Sequence, residues 1–392
     1  MAERDQARTT KERPSFGSLL RYFLGLGTWG FGGPIATVGY MQRDLVERRR
    51  WLDRGDFLNG VALGQTMPGP LAAQVVMWVG FLERGAVGAL ATSLAFILPS
   101  FVLVLAVAAL YVHFQGIQAV AALFYGIAPA VIAIISVAAV KLARLTNGRD
   151  VRLWAMSAVI GVVTALTGAE IALAFIAAGV VMMLWEAPPP FLRRRAEQHL
   201  LLWAPATQLA VATPAGPGTL LALGLFFLKA GAFIFGSGLA IVPFLREGVV
   251  EQRHWLAERQ FLDAVAMGLI TPGPVVITAT FIGYLVHGVV GALVATVAIF
   301  VPIYAGVVLP GRWFVRHKDN ARLRGFVKGA TAAAAGAIAG AATVLARGAI
   351  VDWPTAGIAV AALLFVVAFR NREPILVLLA AIAGLILFPV TH

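Results

Sequence analysis

The chain contains two copies of one sequence, and this duplication constrains its fold more than any other feature. Residues 23–70 match residues 227–274 after a shift of 204 positions, with 20 identities in 48 aligned positions. After the loss of one residue, the match continues at three glycines and a proline of each copy: Gly80, Gly85, Gly88 and Pro99, with Gly283, Gly288, Gly291 and Pro302. Chance does not give this many identities, so we expect both copies to adopt the same fold.

Long apolar segments dominate both copies. Hydrophobic residues make up 60% of the chain and charged residues 13%, whereas soluble proteins carry about 25% charged residues. Segments of spanning length, about 17–25 residues in general, fall at 16–40, 57–82, 86–112, 119–140, 153–168 and 169–186, and again at 219–245, 261–286, 288–311, 326–346, 354–369 and 374–390. We predict an all-α polytopic integral membrane protein with 12 transmembrane helices, or 13 if Leu200–Ala212 also crosses.

Four regions follow from this pattern: a cytoplasmic N-terminal tail (1–15), a first membrane repeat (16–186), a basic, proline-rich linker (187–218) and a second membrane repeat (219–392). The polar tail lacks the apolar core and cleavage site of a secretory signal peptide. The net charge of +12 favours basic cytoplasmic loops over nucleic-acid binding, because Lys and Arg accumulate on the cytoplasmic side. The chain has no cysteine, which excludes disulfides, thiolate metal sites and cysteine nucleophiles.

The basic loops predict that the two repeats have opposite orientations in the membrane. The basic loop 141–152 follows the fourth apolar segment of the first repeat, whereas 312–328 follows the third segment of the second repeat and 370–373 follows the fifth. Equivalent loops then face opposite sides, as in inverted repeats. The loops 41–56 and 246–260 are both charged, and if both lie inside, one of the early segments must be re-entrant.

A Pro-Gly-Pro triplet interrupts one apolar segment of each repeat. Pro68-Gly69-Pro70 lies within "TMPGPLAAQ", and Pro272-Gly273-Pro274 occupies the aligned place. Irregular backbone at membrane depth is tolerated where it lines a cavity, and transporters with inverted repeats build their substrate sites from discontinuous helices. Proline can start a helix without losing a hydrogen bond, so the free N–H groups that follow would suit a small oxyanion. A simple proline kink is the structural alternative.

A glycine cluster precedes each triplet. Gly32 and Gly33 belong to "FGGP", and Gly236, Ser237 and Gly238 belong to "FGSG". Glycines in such a cluster let the backbone approach a ligand closely or bind an anion with its N–H groups. We therefore include these five residues with the two triplets in the predicted substrate site.

Few polar side chains occur within the apolar segments. Lys229 aligns with Gly25, and it either neutralises a bound dianion or extends from a helix end to the membrane surface. Lys328 is closer to a basic loop, which favours the second role. Four residues could donate hydrogen bonds to an oxyanion or to a neighbouring helix: Gln74, Thr271, Thr278 and Thr280. No acidic residue is evident deep in a segment, which favours transport driven by the membrane potential.

Catalytic chemistry has no support in the sequence. A GxxxxGK[ST] phosphate loop is missing, and the six histidines are scattered without the spacing of a metal site. We therefore predict no enzyme activity, no cofactor and no metal.

Several long motifs closely resemble the chromate ion transporter (CHR) family in its long, two-domain bacterial form. They are "FGGPIATVGYMQRDLVERRRWL", "ALGQTMPGPLAAQ", "FGSGLAIVPFLREGVVEQRHWL", "LITPGPVVITATFIGYLV" and "GFVKGA". Carried over by position, the family motif residues of the first repeat are Gly32, Gly33, Pro34, Pro68, Gly69, Pro70 and Gln74. Those of the second repeat are Gly236, Gly238, Pro272, Gly273, Pro274 and Lys328. Ser237 and Gly238 replace the Gly33 and Pro34 of the first copy, which puts equal roles of the two copies in doubt.

The resemblance implies efflux of the chromate dianion from the cytoplasm and a link to sulfate, which chromate mimics. We expect secondary transport, driven by the membrane potential or an ion gradient. The alternatives are a transporter of sulfate or another oxyanion, and an anion channel. Expected partners are the oxyanion and the lipid bilayer of a bacterial inner membrane, with a homodimer as a further expectation and no nucleic acid.

Overall fold

The computed structural model describes residues 14–31, 33–114, 118–167, 172–188, 220–234, 238, 241–317, 320–369 and 372–391. The described residues form fifteen α-helices: α1 (Phe16–Trp29), α2 (Gly33–Met41), α3 (Arg54–Thr66), α4 (Leu71–His113), α5 (Gln118–Asn147), α6 (Val151–Thr167), α7 (Ala172–Glu186), α8 (Leu220–Ala232), α9 (Ile241–Arg246), α10 (Glu258–Ile270), α11 (Thr278–Val308), α12 (Gly311–His317), α13 (Ala321–Ala349), α14 (Trp353–Ala368) and α15 (Glu373–Thr391). A π-helix follows α2 (Gln42–Arg48) and α9 (Glu247–Gln252), and a 3-10 turn precedes α11 (Val275–Ile277). Most of the predicted tail and linker, and Leu200–Ala212, lie outside the described residues.

The predicted all-α polytopic class is confirmed, and each of the twelve apolar segments is helical over most of its described residues. Four of the helices of the described chain are long and apolar enough to cross a membrane: α4, α5, α13, and α11 together with its preceding turn. Polar side chains fix where several helices begin. Asp53 accepts a hydrogen bond from Gly55 N over 2.7 Å, and Asn320 accepts one from Arg322 N over 2.9 Å, which satisfies N–H groups that have no partner within the helix.

The longest helix, α4, is two antiparallel arms joined by a tight turn. Arg84 and Gly85 leave helical geometry, with φ/ψ of −140°/29° and 59°/−146°. Thr92 Oγ1 donates to Val76 O over 3.1 Å, although sixteen residues of straight helix would separate them by roughly 24 Å. We call the arms α4a (71–83) and α4b (86–113).

The same turn divides α11. His287 and Gly288 have φ/ψ of −143°/30° and 59°/−148°, within a few degrees of the values in α4. The hydroxyl oxygens of Thr280 and Thr296 lie 2.7 Å apart across the two arms. We call the arms α11a (278–286) and α11b (289–308), and the duplication predicted from the sequence therefore extends to the backbone turn.

The apolar segments 57–82 and 261–286 do not cross as single helices, because each reverses at its Pro-Gly-Pro triplet. Trp78 Nε1 on α4a donates to Asp56 O on α3 over 2.9 Å, so the two arms lie side by side. In the second copy, a Cβ at Gly268 on α10 would clash with the Thr278 hydroxyl on α11a. We call α3–α4a and α10–α11a the first and second Pro-Gly-Pro hairpins.

The segments 16–40 and 219–245 double back as well. Tyr22 Oη on α1 lies 3.5 Å from Asp44 Oδ2, beyond the glycine cluster. The rings of Phe226 and Phe244, on α8 and α9, stack with centroids 5.4 Å apart. We call α1–α2 and α8–α9, each with its following π-helix, the first and second glycine hairpins. The twelve predicted crossings are thus refined to four re-entrant hairpins and eight unreversed helices within the described residues.

Contacts between the repeats confirm that they run in opposite directions. Tyr304 Oη, late in α11b, donates to Ala86 O at the start of α4b over 2.8 Å. Tyr111, late in α4b, packs against Phe281 on α11a, with ring centroids 5.3 Å apart. The Thr280–Thr296 pair places this part of α11a beside the first half of α11b. The two arms are therefore antiparallel, as inverted repeats require.

The basic segments collect at one end of the molecule, which we call the basic face. Trp78, which bonds Asp56 O, also lies against Gly311, so the loop 41–56 and α12 share this end. Lys328 Nζ lies 2.6 Å from Glu186 Oε1, which places the start of α13 and the end of α7 there too. The loop 246–260 lies at the opposite end, where Arg259 donates to Ala121 O over 3.0 Å.

The two repeats are interleaved through their longest unbroken helices. Helix α5 of the first repeat packs against α14 and α15 of the second, and α13 of the second packs against α6 and α7 of the first. Glycines permit these approaches: a Cβ at Gly126 would clash with Ala380 O, and one at Gly336 would clash with Ser157 O. The "GAIAG" stretch of α13 is thus a packing surface, as small residues are in membrane helices.

Candidate substrate-binding site

The two Pro-Gly-Pro triplets form the turns of their hairpins. Helix α3 ends at Thr66 and α4 begins at Leu71 after Pro70, while α10 ends at Ile270 and a 3-10 turn begins at Val275 after Pro274. Glycine is required at both turns, because Gly69 has φ +141° and Gly273 has φ +103°, a region that other residues rarely adopt. The predicted division into half-helices is confirmed.

The two turns come together between the repeats. Gly238 lies between them, since a Cβ on it would stand 3.5 Å from both Pro70 Cβ and Val275 Cβ. Gly69 N donates to Ile234 O of the second repeat over 2.6 Å. The first turn therefore contacts Ile234 and Gly238 of the second repeat, and Gly238 lies between the two turns.

The arms α4b and α11b each contact the Pro-Gly-Pro turn of the other repeat. Ser100 Oγ on α4b donates to Pro272 O over 2.5 Å. Ile303, the residue of α11b that aligns with Ser100, lies against Gly69. A hydroxyl therefore holds one turn and a methyl group holds the other, so the two halves of the site are not chemically equivalent. Sequence reasoning missed Ser100, because a serine in an apolar segment is common.

Backbone N–H groups are the main hydrogen-bond donors at the two turns. The first N–H groups of a helix have no partner within the helix, and they carry the positive end of its dipole. Leu71 to Ala73 open α4a, and Val275 and Val276 open the second arm. Ile277 N is already used, because it donates to Pro274 O over 3.0 Å. Ala72, Ala73 and Val276 are buried, so a ligand there would be shielded from water.

Gln74 lies at the first turn and is fully buried. Its amide nitrogen donates to Pro68 O over 2.9 Å and to Met67 O over 3.3 Å, which fixes the turn. Its amide oxygen has no hydrogen-bond partner. In this conformation Gln74 therefore presents an unused acceptor, and its donors serve the backbone.

The three predicted threonines make local hydrogen bonds. Thr271 donates to Met267 O over 2.8 Å and Thr278 donates to Val275 O over 2.9 Å, while Thr280 pairs with Thr296 across the hairpin. Thr271 and Thr278 flank the second turn, whereas Thr280 stands further along α11a.

The two predicted lysines lie away from the turns. Lys229 is exposed on α8, with its Nζ 5.8 Å from the centroid of the Phe244 ring. Lys328 is paired with Glu186 at the basic face, and its side chain is 49% exposed. Of the glycine cluster, Gly32, Gly236 and Ser237 lie outside the described residues, and Gly33 is described only as the first residue of α2.

One buried acid escaped the sequence reasoning. Asp263 on α10 is only 2% exposed, and its Oδ2 accepts a hydrogen bond from Tyr111 Oη over 2.8 Å. The expectation that no acidic residue lies deep in an apolar segment was wrong. The signal was present, since Asp263 stands within the apolar run "FLDAVAMGLI", but its place near the start of the segment resembled a helix end. Within the described ranges no cluster of acids and histidines could hold a metal ion.

A cavity of about 580 Å³ opens between the arms of the first glycine hairpin. Arginines and aromatic rings line it, among them Arg21, Arg43, Arg49, Tyr22 and Trp51. The second glycine hairpin differs, because the Phe226–Phe244 stack lies between its arms. One hairpin is thus open toward the basic face and its counterpart is closed at the other end.

Interleaved inverted repeats, whose broken helices meet between the two halves, define the class of secondary membrane transporters. The family model described as "Chromate transporter" matches residues 17–191 and 221–385, and the chain belongs to this family.

Curated relatives carry the same description over nearly their whole length. A chromate transport protein of Cupriavidus metallidurans is 48% identical, covering 95% of this chain and 94% of the relative. A probable chromate transport protein of Synechococcus elongatus is 44% identical, covering 95% of both chains. A chromate transport protein of Pseudomonas aeruginosa is 31% identical, covering 96% of this chain and 93% of the relative. No solved structure matches this chain.

Proposed function

We propose that this protein exports the chromate dianion from the cytoplasm across a bacterial inner membrane, binding it where the two Pro-Gly-Pro turns meet. The observation that carries the proposal is the position of Gly238 between Pro70 and Val275. Two helix starts converge there from opposite repeats, and each offers N–H groups to an anion. Since the lysines lie elsewhere, backbone groups and helix dipoles would hold the oxyanion.

The direction of transport is supported by the charge of the two ends. The basic face carries the segments 41–56 and 312–328, and by the positive-inside rule this end is cytoplasmic. The first glycine hairpin, which is open, lies at that end, whereas the closed second glycine hairpin lies at the outer end. An inverted-repeat transporter that faces the cytoplasm would have this asymmetry, and exchanging the two hairpin conformations would turn the site outward.

The membrane potential is sufficient to drive export. Moving one charge across 100 mV is worth about 2.3 kcal/mol, so a dianion leaving a negative-inside cell gains about 4.6 kcal/mol. Since about 1.4 kcal/mol corresponds to a tenfold ratio, this would support a gradient of more than a thousandfold.

Proton-coupled export is a second candidate mechanism, and the buried pair of Asp263 and Tyr111 favours it. Ionisable residues inside membrane proteins are expensive and are commonly part of proton relays. Asp263 lies on α10 at the outer end, where an entering proton would be available during export. Tyr111 donates to it, and Arg259 is one helical turn away on the same helix. Asp263→Asn would abolish acceleration by an imposed proton gradient while retaining potential-driven transport if this mechanism operates.

The test is chromate uptake into inside-out membrane vesicles with an imposed inside-positive potential. We expect wild-type vesicles to accumulate chromate, and the double variant Gly69→Leu, Gly273→Leu to lose accumulation. A matched control is Gly306→Leu, Gly357→Leu, because both glycines lie in helices with open space around the added Cβ. Circular dichroism and yield of the purified variants separate loss of transport from loss of folding.

Three outcomes of this assay and of recordings in planar bilayers lead to different conclusions. Transport by the folded double variant would show that the substrate does not bind at the Pro-Gly-Pro turns. Uptake of sulfate without chromate would make the protein an oxyanion transporter of another specificity. Unitary currents in planar bilayers would indicate a channel. Competition by sulfate and assembly as a homodimer remain predictions, which the same vesicles and light scattering of the purified protein can measure.

A further inference from the structure

The cavity of the first glycine hairpin has the charge of an anion site. Arg21, Arg43 and Arg49 line it together with one carboxylate, Asp44, which leaves a net charge of +2. Arg21 makes no ion pair or hydrogen bond among the described residues. Arg49 is held over the rings of Tyr22 and Trp51, 5.3 and 4.6 Å from their centroids, and it forms no ion pair among the described residues.

One arginine of the cavity is partly neutralised. Arg43 Nε lies 3.1 Å from Asp44 Oδ1, and this hydrogen bond, with the charge of Asp44, raises the pKa of Arg43 above its usual value. Arg48 also approaches Asp44, at 3.8 Å, from an adjoining cavity of about 360 Å³. Asp44 is thus shared between two guanidinium groups, and the excess positive charge faces the open space.

The second glycine hairpin serves as an internal comparison. Phe226 and Phe244 align with Tyr22 and Tyr40, and their stacked rings fill the space between the arms. Lys229 replaces Gly25, and its ammonium lies over the Phe244 ring. The same fold without this cavity is therefore stable, which argues that the open first hairpin has a use.

Two of the three arginines are missing from the second hairpin as well. Leu225 aligns with Arg21, and Glu247 aligns with Arg43. Only Arg253 is retained, over the rings of Phe226 and Trp255 at 4.8 and 5.2 Å. Retention of this one arginine suits a structural role for the Arg-aromatic stack. Arg21 and Arg43 occur only in the first repeat, and of these two Arg21 makes no ion pair among the described residues and can serve a ligand.

We propose that this cavity binds a tetrahedral oxyanion group, either free chromate, a dianion, before it reaches the Pro-Gly-Pro turns, or the singly charged phosphate of a lipid headgroup. Guanidinium groups match the geometry and charge of such oxyanions. The volume accommodates the ion with part of its water shell, since one water occupies about 30 Å³. The assignment of free chromate rests on the proposed export function, whereas binding of the oxyanion group does not.

Cysteine labelling tests the site directly, because the chain contains no cysteine. Gly25→Cys places a thiol in the cavity, and Gly17→Cys places one on the same helix outside it. A Cβ at either position meets nothing within 4 Å, so both variants should fold. The probes are sulfate and molybdate, which are tetrahedral dianions. They replace chromate because chromate would oxidise the introduced thiol.

We expect an anionic methanethiosulfonate to modify Gly25→Cys about tenfold faster than a cationic one at low salt, because a positively charged cleft concentrates anions. Sulfate should slow this modification several-fold, and Arg21→Gln in the same background should remove the protection. Gly17→Cys should show neither effect. Equal rates for both reagents, or no protection by any anion, would overturn the proposal.

Lipid composition separates the two sources of the oxyanion. Protection by sulfate both in delipidated detergent and in bilayers with anionic phospholipid identifies a free ion as the ligand. Slow labelling in bilayers without added sulfate, with fast labelling in detergent, identifies the lipid phosphate. If Gly69→Leu, Gly273→Leu abolishes transport while sulfate does not change the rate of labelling of Gly25→Cys, the export function is supported and this cavity is not an anion site. If the double variant still transports chromate while sulfate slows the labelling of Gly25→Cys, the cavity binds the anion and the Pro-Gly-Pro turns are not the substrate site.

Discussion

Replacing Tyr111 by phenylalanine would remove one hydrogen bond from Asp263 and leave the aromatic packing intact. Tyr111 Oη donates to Asp263 Oδ2 over 2.8 Å, and Asp263 is 2% exposed. The Tyr111 ring meets Phe124 and Phe281 edge-on, at 5.5 and 5.3 Å between centroids, and phenylalanine retains these contacts. Removing the donor leaves the buried Asp263 oxygen without a partner, which costs roughly 1–3 kcal/mol. We therefore expect Tyr111→Phe to reduce the free energy of unfolding by about 2 kcal/mol.

A double-mutant cycle isolates this bond from the rest of the environment. Asp263 of the second repeat aligns with Asn59 of the first, and Tyr111 of the first repeat aligns with Phe314 of the second. The double variant Tyr111→Phe, Asp263→Asn therefore uses residue types that this fold already tolerates. We expect the double variant to be more stable than the sum of the two single changes, with a coupling energy of at least about 1 kcal/mol.

Unfolding of the purified protein by dodecyl sulfate, followed by circular dichroism, measures these values. Tyr304→Phe is the control, because Tyr304 donates over the same 2.8 Å to the neutral oxygen of Ala86 at an exposed position. Its cost should be about 1 kcal/mol or less. A Tyr111→Phe variant as stable as Tyr304→Phe, with additive effects in the cycle, would refute the assignment of the bond as an important interaction between the repeats.

Three further changes test the packing and the turns, and stability of the purified variants measures each. Gly126→Ala should lower the free energy of unfolding by about 1–3 kcal/mol, because the added Cβ would clash with Ala380 O. The control Gly306→Ala has open space around its Cβ and should be neutral or stabilising. Equal effects of the two changes would contradict the close approach of α5 and α15. Gly85→Ala should cost about 1–3 kcal/mol through its φ of +59° alone, and a neutral result would contradict the left-handed turn. Lys328→Gln should cost less than about 1 kcal/mol and retain chromate uptake in vesicles, since its ion pair is half-exposed; lost uptake would return Lys328 to the site.

The sequence predicted those parts of the fold that depend on local chemistry. Proline and glycine determine backbone geometry by themselves, so Pro68-Gly69-Pro70 and its copy correctly marked where helices end and begin. The opposite orientation of the repeats also followed from the sequence, because lysine and arginine in loops report the cytoplasmic side. The number of reversals could not be predicted in the same way. A hairpin with two arms of 13 residues, each about 20 Å long, has the same hydropathy as one crossing of 26 residues.

The positions of polar side chains depended on contacts that no local pattern contains. Lys229 stood out as a charge in an apolar segment, yet it lies over Phe244, which is fifteen residues further along the chain and on the other arm of the second glycine hairpin. Gln74 was correctly associated with the first turn, but its donors serve Met67 and Pro68. The partnership of Asp263 with Tyr111 joins residues from different repeats, so it could be found only once the repeats were placed together.

The interleaving of the repeats has a consequence for synthesis of the chain. Helix α5 can meet its neighbours α14 and α15 only after both have been synthesised, so the surface around Gly126 lacks this partner while the intervening residues are made. The first repeat cannot mature ahead of the second. A stop codon or a proteolytic cut before α15 would remove the surface that covers α5, and quality control would then meet a defect more than two hundred residues upstream of the lesion.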